Sequence, residues 1–567
     1  MKNGPKAPKD PTKKKPMVYL ILDDIVEGKP DERGGYSDNY FLDGRIAAKV
    51  KSIAPDISDD IARGLQFAPK FREMVDSIGI TIMGQNEEDR EAEVQFSLAC
   101  KSTTGYDGSV LSTTLSCNGE EKIIAVADYP ASDRDTSWNV IHTVYPKYMT
   151  PKMTVVFYLK DGYQVPEVTP DPPVDFESDR YRKMIQRSLI SVGNTYRIQK
   201  AIEKARRGED VTISYIGGSI TQGAGAKPIS TECYSYLSYQ KFRERFAPGD
   251  GSNVHYLKAG VGGTCSELGL TRYNMDLLRY HTSEPDIVFV EYAVNDSGDE
   301  TNGDCYESLV LKIMEGSSSP AVVLLFAVFM DDGNLQERLK PIGFNYNLPM
   351  ISLKDAVTPQ FYEEPPIMTK RQYFYDLFHP SNTGHRVMAD CIDYFWEKAS
   401  AAAKDEADVD LNVAPKVGNT YRNMEAFTRL DYDQYPAVKS LNCGSFTEKD
   451  TMLQCVEKDL NSHVLPEYPE NWYYTGQNGH DSFQMEIECK DLMIVYKDEG
   501  NPTFGKAEVF IDGIKSREIN PLEVGWTHCT AYIIHKGNKK EMHSVEVKLA
   551  PGDEDKKFTI LGFGYTV

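Results

Sequence analysis

Five near-continuous apolar runs in the middle of the chain constrain the fold more than any other feature of the sequence. They are VTISYIGG, NVHYLKAGVGG, DIVFVEYAV, AVVLLFAVF and MISL. Between them lie stretches with helical character, such as YSYLSYQKFRERF and HRVMADCIDYFWEKASAAA. Strands that are buried on both faces have this composition. The alternation over residues 180–403 therefore predicts an α/β domain with a parallel sheet covered by helices on both sides.

The segments on either side of this domain alternate apolar and polar residues instead. Runs such as AEVQFSLAC and MTVVFYL predict a mainly-β module before it, and DLMIVYK, AEVFIDGI and KFTILGFGY predict a β-sandwich or jelly-roll-like module after it. A Pro-rich stretch and an acidic, apolar-poor stretch separate the three. The predicted divisions are a disordered leader (1–16), the first module (17–165), a linker (166–179), the central domain (180–403), a linker (404–416) and the last module (417–567).

The charge of the chain excludes some classes of partner. Its formal net charge is −22. A polyanion would be repelled, so we expect no nucleic-acid partner and no anionic-membrane partner. The basic N-terminus is not followed by the apolar segment of a secretory signal, so the sequence as written predicts a cytoplasmic protein, or a secreted one if a signal peptide was removed. The oligomeric state stays open.

Four short motifs stand where predicted strands end. Ser219 follows two glycines, Gly263 lies in a glycine-rich turn, Asn295 follows DIVFVEYAV, and Asp376 precedes His379 by three residues. Taken singly, each has a structural explanation as a turn, a flexible loop or a helix cap. Because functional loops of parallel sheets gather at the carboxyl ends of the strands, the four together predict one site.

The chemistry of these residue types suits acyl transfer. An Asp three residues before a His can accept the Nδ1–H of the ring and leave Nε2 free to take a proton from a serine. Backbone N–H groups of a glycine turn and an asparagine amide can hold a developing oxyanion. A second histidine, His385, lies inside the following helix and is expected to pack there.

Because it contains these four motifs, the central segment resembles the SGNH (GDSL-type) hydrolases. That family is named for the Ser, Gly, Asn and His of four sequence blocks, one residue from each block. The resemblance implies a three-layer α/β/α domain with Ser219 as nucleophile, His379 as base and Asp376 as its partner. It also implies an oxyanion hole made by the Ser219 amide, Asn295 and Gly263. It implies no metal and no organic cofactor.

Three positions keep alternatives open. Gly262 is a near alternative to Gly263 in the oxyanion hole. Gly218 stands where the family name implies Asp, and Ala293 stands where the third block has Gly. These two departures put the subfamily in doubt rather than the catalytic set.

An SGNH core between two β-modules resembles carbohydrate esterases that deacetylate plant polysaccharides. The resemblance implies an acetylated glycan as substrate, of the xylan, mannan or xyloglucan type. Trp472 and Trp526 are candidate residues for stacking on sugar rings, with a place in the sandwich core as the alternative.

Two other functions are consistent with the same residues. One is an SGNH esterase, lipase or thioesterase acting on another acyl group, such as feruloyl; polar loops around GAGAKPISTEC favour a short acyl group instead. The other is a non-catalytic glycan-binding scaffold, which the intact set of four motifs argues against.

Overall fold

The computed structural model describes residues 18–30, 35–42, 67–102, 108–161, 171–279, 284–452, 454 and 467–567. The predicted leader and the first part of the predicted Pro-rich linker lie outside these ranges. Within them, no helix has the length and apolarity needed to cross a membrane. Nine cysteines in the described ranges carry free thiols, and most of these are buried.

The first module consists of two antiparallel sheets around one apolar core. One sheet has the strand order β1-β9-β4-β7 and the other β2-β3-β8-β5-β6, and residues of both sheets meet in a single buried cluster. Two short helices, α1 and α2, connect strands. The elements are β1 (Val18–Ile25), β2 (Lys29–Pro30), β3 (Tyr36–Phe41), α1 (Ala68–Met74), β4 (Val75–Met83), α2 (Glu87–Arg90), β5 (Glu93–Ser102), β6 (Val110–Ser116), β7 (Lys122–Ala125), β8 (Asp135–Tyr145) and β9 (Lys152–Leu159).

The central domain is built on a six-stranded sheet with the order β10-β15-β14-β13-β11-β12. Strands β11 to β15 pair in parallel, and the short edge strand β10 is antiparallel to β15. Every residue of β11 is buried, as its near-continuous apolar sequence predicts. The strands are β10 (Leu189–Ser191), β11 (Val211–Gly217), β12 (Val254–Gly260), β13 (Ile287–Glu291), β14 (Ala321–Phe326) and β15 (Met350–Ser352).

Helices cover both faces of this sheet. Tyr215 and Phe289 point into a cluster formed with α3, α4, α7 and α13, whereas Ile216 and Val290 point into a second cluster with α8, α9 and α10. The helices are α3 (Asp179–Gln186), α4 (Tyr196–Arg206), α5 (Ser219–Gln222), α6 (Ile229–Glu232), α7 (Tyr234–Phe246), α8 (Ser266–Asn274), α9 (Asp304–Met314), α10 (Gln336–Asn345), α11 (Leu353–Val357), α12 (Lys370–Tyr373) and α13 (Asn382–Ala401). The predicted mixed α/β fold with β-rich modules is confirmed.

The last module contains two long strands, β19 and β22, that pair along their length with a register shift between Cys489 and Asp491. Before this shift β19 also pairs with β17, and after it with β23. Both halves contribute to one buried cluster. The strands are β16 (Glu425–Phe427), β17 (Val438–Asn442), β18 (Trp472–Tyr474), β19 (Phe483–Asp498), β20 (Ala507–Ile511), β21 (Ile514–Ile519), β22 (His528–Leu549) and β23 (Phe558–Thr566).

Residues 404–416, predicted as a linker, run along the central domain and are tied to it by polar contacts. Asp405 accepts a hydrogen bond from the Thr195 amide at 2.7 Å. Asp408 accepts from Nε of Arg197 at 2.7 Å, and the guanidinium is itself buried. The last module is therefore held close to the sheet by an ordered connection.

The outer modules also contact the loops at the carboxyl end of the sheet. Tyr375, in the loop before α13, is buried in the core of the first module and meets Tyr40 edge-on at a centroid distance of 5.5 Å. In addition, Nζ of Lys101 donates to the Gly525 carbonyl at 3.2 Å, which joins the first module to the last.

Candidate active site

The turn from β11 into α5 presents Ser219 at the first position of a helix. Gly218 precedes it as the N-cap residue. A Cβ at position 218 would lie 2.6 Å from Cγ of Asn295, so the close approach of the asparagine amide requires glycine here. In this chain the Asn295 side chain fills the space that a side chain at position 218 would need.

Three side chains from the predicted set meet in this turn. Oγ of Ser219 lies 2.9 Å from Nε2 of His379, and Nδ1 of His379 lies 2.8 Å from Oδ2 of Asp376. The Asp376 carboxylate is 3 % exposed and the His379 ring 19 % exposed. Because a carboxylate accepts, Nδ1 carries the hydrogen and Nε2 is left to accept from the serine hydroxyl.

Local hydrogen bonds fix the Asp376 carboxylate in this position. Its Oδ1 accepts from the backbone amides of Phe378 at 2.7 Å and His379 at 2.8 Å. The Tyr375 amide donates to the His379 carbonyl at 2.8 Å and closes the turn. The three-residue spacing thus lets one carboxylate bind both the ring and the backbone of its own loop.

The three predicted oxyanion donors lie on adjacent loops. The Ser219 amide opens a helix, so it has no acceptor four residues earlier in the chain. The Asn295 amide lies against the Gly218 Cα. The neighbouring glycine turn is joined to the serine turn through the Val261 amide, which donates to the Gly217 carbonyl at 3.1 Å. The serine turn thus lies next to both the asparagine side chain and the glycine turn.

The two candidate glycines of that turn differ in exposure and conformation. Gly262 is buried, whereas Gly263 is exposed and adopts a φ of +74°. A side chain at 263 would overlap the ring of Trp526. Left-handed backbone and this close packing both favour glycine at 263, which is exposed to solvent on its other side.

Trp526 and Trp472 have different environments. Trp526 is partly exposed and packs against Gly263, beside the predicted site. Trp472 is 1 % exposed and lies in the core of the last module, 5.3 Å from Phe483 between ring centroids. The expectation that Trp472 stacks on a glycan is wrong, because strand β18 turns this side chain inward.

A histidine of the last module, missed by the sequence analysis, also reaches the site. Nε2 of His528 lies 3.0 Å from the Gly263 carbonyl oxygen, and Nδ1 lies 2.8 Å from Oδ2 of Asp498. His528 is the first residue of β22 and has no motif around it. Nothing in the neighbouring sequence indicates its contact with Gly263.

Buried carboxyl groups lie beneath the site. Burial raises the pKa of Glu291 to about 8, and its Oε2 accepts from Oγ1 of Thr221 at 3.0 Å. Burial also raises the pKa of Asp296 well above its usual range, and its Oδ1 accepts from the Ser266 amide at 2.8 Å. Asp296 thereby links the loop of the neighbouring asparagine to the start of α8.

One group in the described ranges has the proximity of metal ligands. Cys265, Glu267 and Asp296 each offer one ligand atom, and these atoms lie within 4.8 Å of one another. Burial raises the pKa of all three groups. The Cys265 thiol donates to the Asn295 carbonyl at 3.2 Å. Raised pKa values favour protonated, hydrogen-bonded groups over the anionic ligands that a cation needs.

His385 is separate from the site, as its place inside α13 predicts. It is fully buried, and burial lowers its pKa to about 3. Its Nδ1 accepts from the Tyr234 amide at 3.2 Å, and Nε2 donates to the Ala224 carbonyl at 3.1 Å. Both ring nitrogens are engaged, so His385 holds α7 against the loop after α5.

Comparison with known proteins finds a family match within the central domain. Residues 215–387 match the GDSL-like lipase/acylhydrolase family, and this range contains all five predicted catalytic and oxyanion residues. No curated protein sequence matches the chain.

Solved structures extend the comparison beyond that domain. A two-domain esterase active on acetylated mannans is 25% identical and has a TM-score of 0.57; the match covers 67% of this chain and 98% of that one. The same esterase co-crystallised with mannopentaose gives 25% identity and a TM-score of 0.56, covering 67% and 97%. A family two carbohydrate esterase from Clostridium thermocellum matches at 12% identity with a TM-score of 0.25, covering 57% and 90%.

Proposed function

We propose that this protein, whose central domain belongs to the GDSL-like lipase/acylhydrolase family, is a serine esterase that removes O-acetyl groups from a plant polysaccharide or oligosaccharide. The observation that carries the proposal is the contact of Ser219 with His379 at 2.9 Å and of His379 with Asp376 at 2.8 Å. A hydroxyl, an imidazole and a buried carboxylate in this order form a serine nucleophile with its general base.

In the first half-reaction, Ser219 Oγ attacks the carbonyl carbon of the acetyl ester while His379 Nε2 takes its proton. Asp376 holds the ring in the tautomer that can accept this proton and stabilises the imidazolium that forms. The Ser219 amide, the Gly263 amide and the Asn295 side-chain amide donate to the oxyanion of the tetrahedral intermediate.

The intermediate collapses when His379 returns the proton to the departing sugar oxygen. The C–O bond to the sugar breaks, and an acetyl-serine remains. In the second half-reaction His379 takes a proton from water as that water attacks the acetyl carbonyl. The serine oxygen then leaves with the proton, which releases acetic acid, ionised to acetate in solution, and restores the enzyme.

A glycan ester is favoured among possible substrates, and acetylated mannan is the first to test. The likeness to the acetylated-mannan esterase spans nearly the whole of that chain. The partly exposed Trp526 ring beside Gly263 offers an aromatic face near the nucleophile loop, suited to the apolar face of a sugar ring. Xylan and xyloglucan acetates are the other substrates of this class.

The test compares acetate release from acetylated mannan, acetylated xylan and p-nitrophenyl acetate with Ser219→Ala beside the wild type. Ser252→Ala is a matched control, because Ser252 is exposed in the loop before β12, at the opposite end of the sheet from Ser219. We expect wild type and Ser252→Ala to release acetate from a polysaccharide and Ser219→Ala to release none.

Other outcomes would support the alternative functions. Faster cleavage of longer p-nitrophenyl acyl chains or of feruloyl esters would favour an esterase, lipase or thioesterase with another acyl group. Glycan binding without cleavage of any ester would favour the scaffold. Full activity of a folded Ser219→Ala variant would exclude Ser219 as the nucleophile.

A further inference from the structure

The last module reaches into the central domain at a single glycine of the proposed oxyanion hole. Gly263 has a φ of +74°, and its Cα is covered by the ring of Trp526. Its carbonyl oxygen lies 3.0 Å from Nε2 of His528. Because a carbonyl oxygen only accepts, this ring nitrogen is the donor. Contacts from another module thus restrain Gly263 at both its Cα and its carbonyl.

His528 is itself held in a fixed position. Its Nδ1 lies 2.8 Å from Oδ2 of Asp498, and the two residues are cross-strand partners at the ends of β19 and β22. Oγ1 of Thr530 donates to the same carboxylate oxygen at 2.9 Å. The His528 side chain is 7 % exposed and that of Asp498 is 0 % exposed. The pair is a buried, hydrogen-bonded unit on adjacent strands.

The other side of the glycine turn is held within the central domain. Oγ1 of Thr264 donates to the Val261 carbonyl at 2.8 Å. The Val261 amide is bound in turn to the Gly217 carbonyl. The His528 contact fixes the peptide group that follows Gly263. The Gly263 amide lies in the preceding peptide group and is tied to it through the φ and ψ of glycine, the residue with the widest backbone freedom, so holding one group restrains the other.

We propose that His528, oriented by Asp498, is a positioning residue that aligns the Gly263 amide as an oxyanion donor. The inference rests on the proposed function. It makes the last module a part of the catalytic unit rather than an appendage, since a side chain 265 positions away in sequence orients a main-chain donor beside the nucleophile.

The experiment measures kcat and KM on p-nitrophenyl acetate, and Tm, for His528→Ala, His528→Gln and Asp498→Asn in the full chain. His543→Ala is the control, because Nδ1 of His543 also lies 2.8 Å from an aspartate, Asp512, in the same module, and the two histidines are equally buried; Asp512 is half-exposed, unlike Asp498. An oxyanion donor that is out of place affects the transition state more than the bound substrate, so the two kinetic constants should respond differently.

We expect His528→Ala to lower kcat about 10- to 100-fold with little change in KM. This loss of kcat is smaller than the loss expected when an oxyanion donor is removed altogether. His528→Gln, whose amide can still donate to the Gly263 carbonyl, should recover most of this loss. The kcat of Asp498→Asn should lie between those of His528→Ala and His528→Gln. His543→Ala should leave kcat unchanged, whatever its effect on Tm.

Two results would overturn the inference. One is an unchanged kcat for a folded His528→Ala. The other is an equal loss of kcat in His528→Ala and His543→Ala that follows the fall in Tm. Failure of the proposed function looks different, because the wild type would then cleave no ester or Ser219→Ala would remain active; in that case the inference falls with it.

Discussion

The side-chain amide of Asn295 fills the space beside Gly218 in which a side chain at position 218 would have to lie. The two residues come from the ends of neighbouring parallel strands, β11 and β13. With the Asn295 side chain in this position, only glycine fits at 218 without a shift of that side chain.

Gly218→Ala should lower kcat while the fold is kept, because the new Cβ displaces a flexible side chain rather than backbone. We expect a loss of about 10- to 100-fold on p-nitrophenyl acetate. Gly298→Ala is the matched control: it lies nearby, and a Cβ there would meet only the Cys265 sulfur at 3.8 Å. An active Gly218→Ala variant with a normal Tm would show that Asn295 is not constrained by this contact.

Asn295→Ala should lower kcat about 10²- to 10³-fold, the usual cost of removing one oxyanion donor. The measurement is steady-state kinetics beside circular dichroism to confirm the fold. When Gly218→Ala is added to Asn295→Ala, kcat should fall little further. Both changes remove the same interaction, and the effects of substitutions at residues in contact are not additive. Fully additive losses in the double variant would contradict this explanation.

Tyr40→Ala should lower the activity although Tyr40 belongs to the first module. Its ring supports Tyr375, which directly precedes Asp376. A substitution of this kind in a core costs about 3–5 kcal/mol, so Phe71→Ala, in the same core against Trp138, serves as the comparison. At temperatures where both variants are folded, only Tyr40→Ala should reduce kcat. Equal activity of the two would limit the first module to a role in stability.

Glu291 should make the stability of the protein fall as pH rises. Its folded-state pKa of about 8 lies above the ordinary value of 4.5, so the folded state holds a proton that the unfolded state releases. This contribution is fully present below about pH 4.5 and is lost as pH rises through about 8, with a slope of at most about 1.4 kcal/mol per pH unit. Chemical denaturation of Glu291→Gln across this range should give a flatter profile. If Glu291→Gln had the same pH profile of stability as the wild type, the raised pKa of Glu291 would be contradicted.

The sequence predicted the parts of the site that depend on local pattern. The serine turn follows β11 and the asparagine loop follows β13, and parallel pairing brings these two strand ends to one edge. The Asp-x-x-His loop follows α12, not a strand, contrary to the expectation for this motif. Asp376 and His379 also meet through a turn of only three residues. These relationships need no long-range information beyond the fold class.

Two features of the structure depend on tertiary contacts and could not be predicted from the sequence. His528 meets Gly263 across 265 residues, and a histidine at the start of a strand carries no distinguishing pattern. Trp472 looks like a loop aromatic in NWYYTGQNGH, but pairing of β18 with β23 makes it a strand residue whose side chain faces the core. In both cases the partner strand, not the local sequence, decides the environment.

Trapping an acetyl group on Ser219 tests the proposed acyl-enzyme mechanism most directly. The wild type is mixed with excess p-nitrophenyl acetate, quenched in acid within the first turnovers, digested and analysed by mass spectrometry, with Ser219→Ala in parallel. We predict one acetyl group on the peptide that contains Ser219 and none on that peptide in the variant. Acetylation of another residue, or ester cleavage by Ser219→Ala at the wild-type rate, would contradict the assignment of Ser219 as the nucleophile.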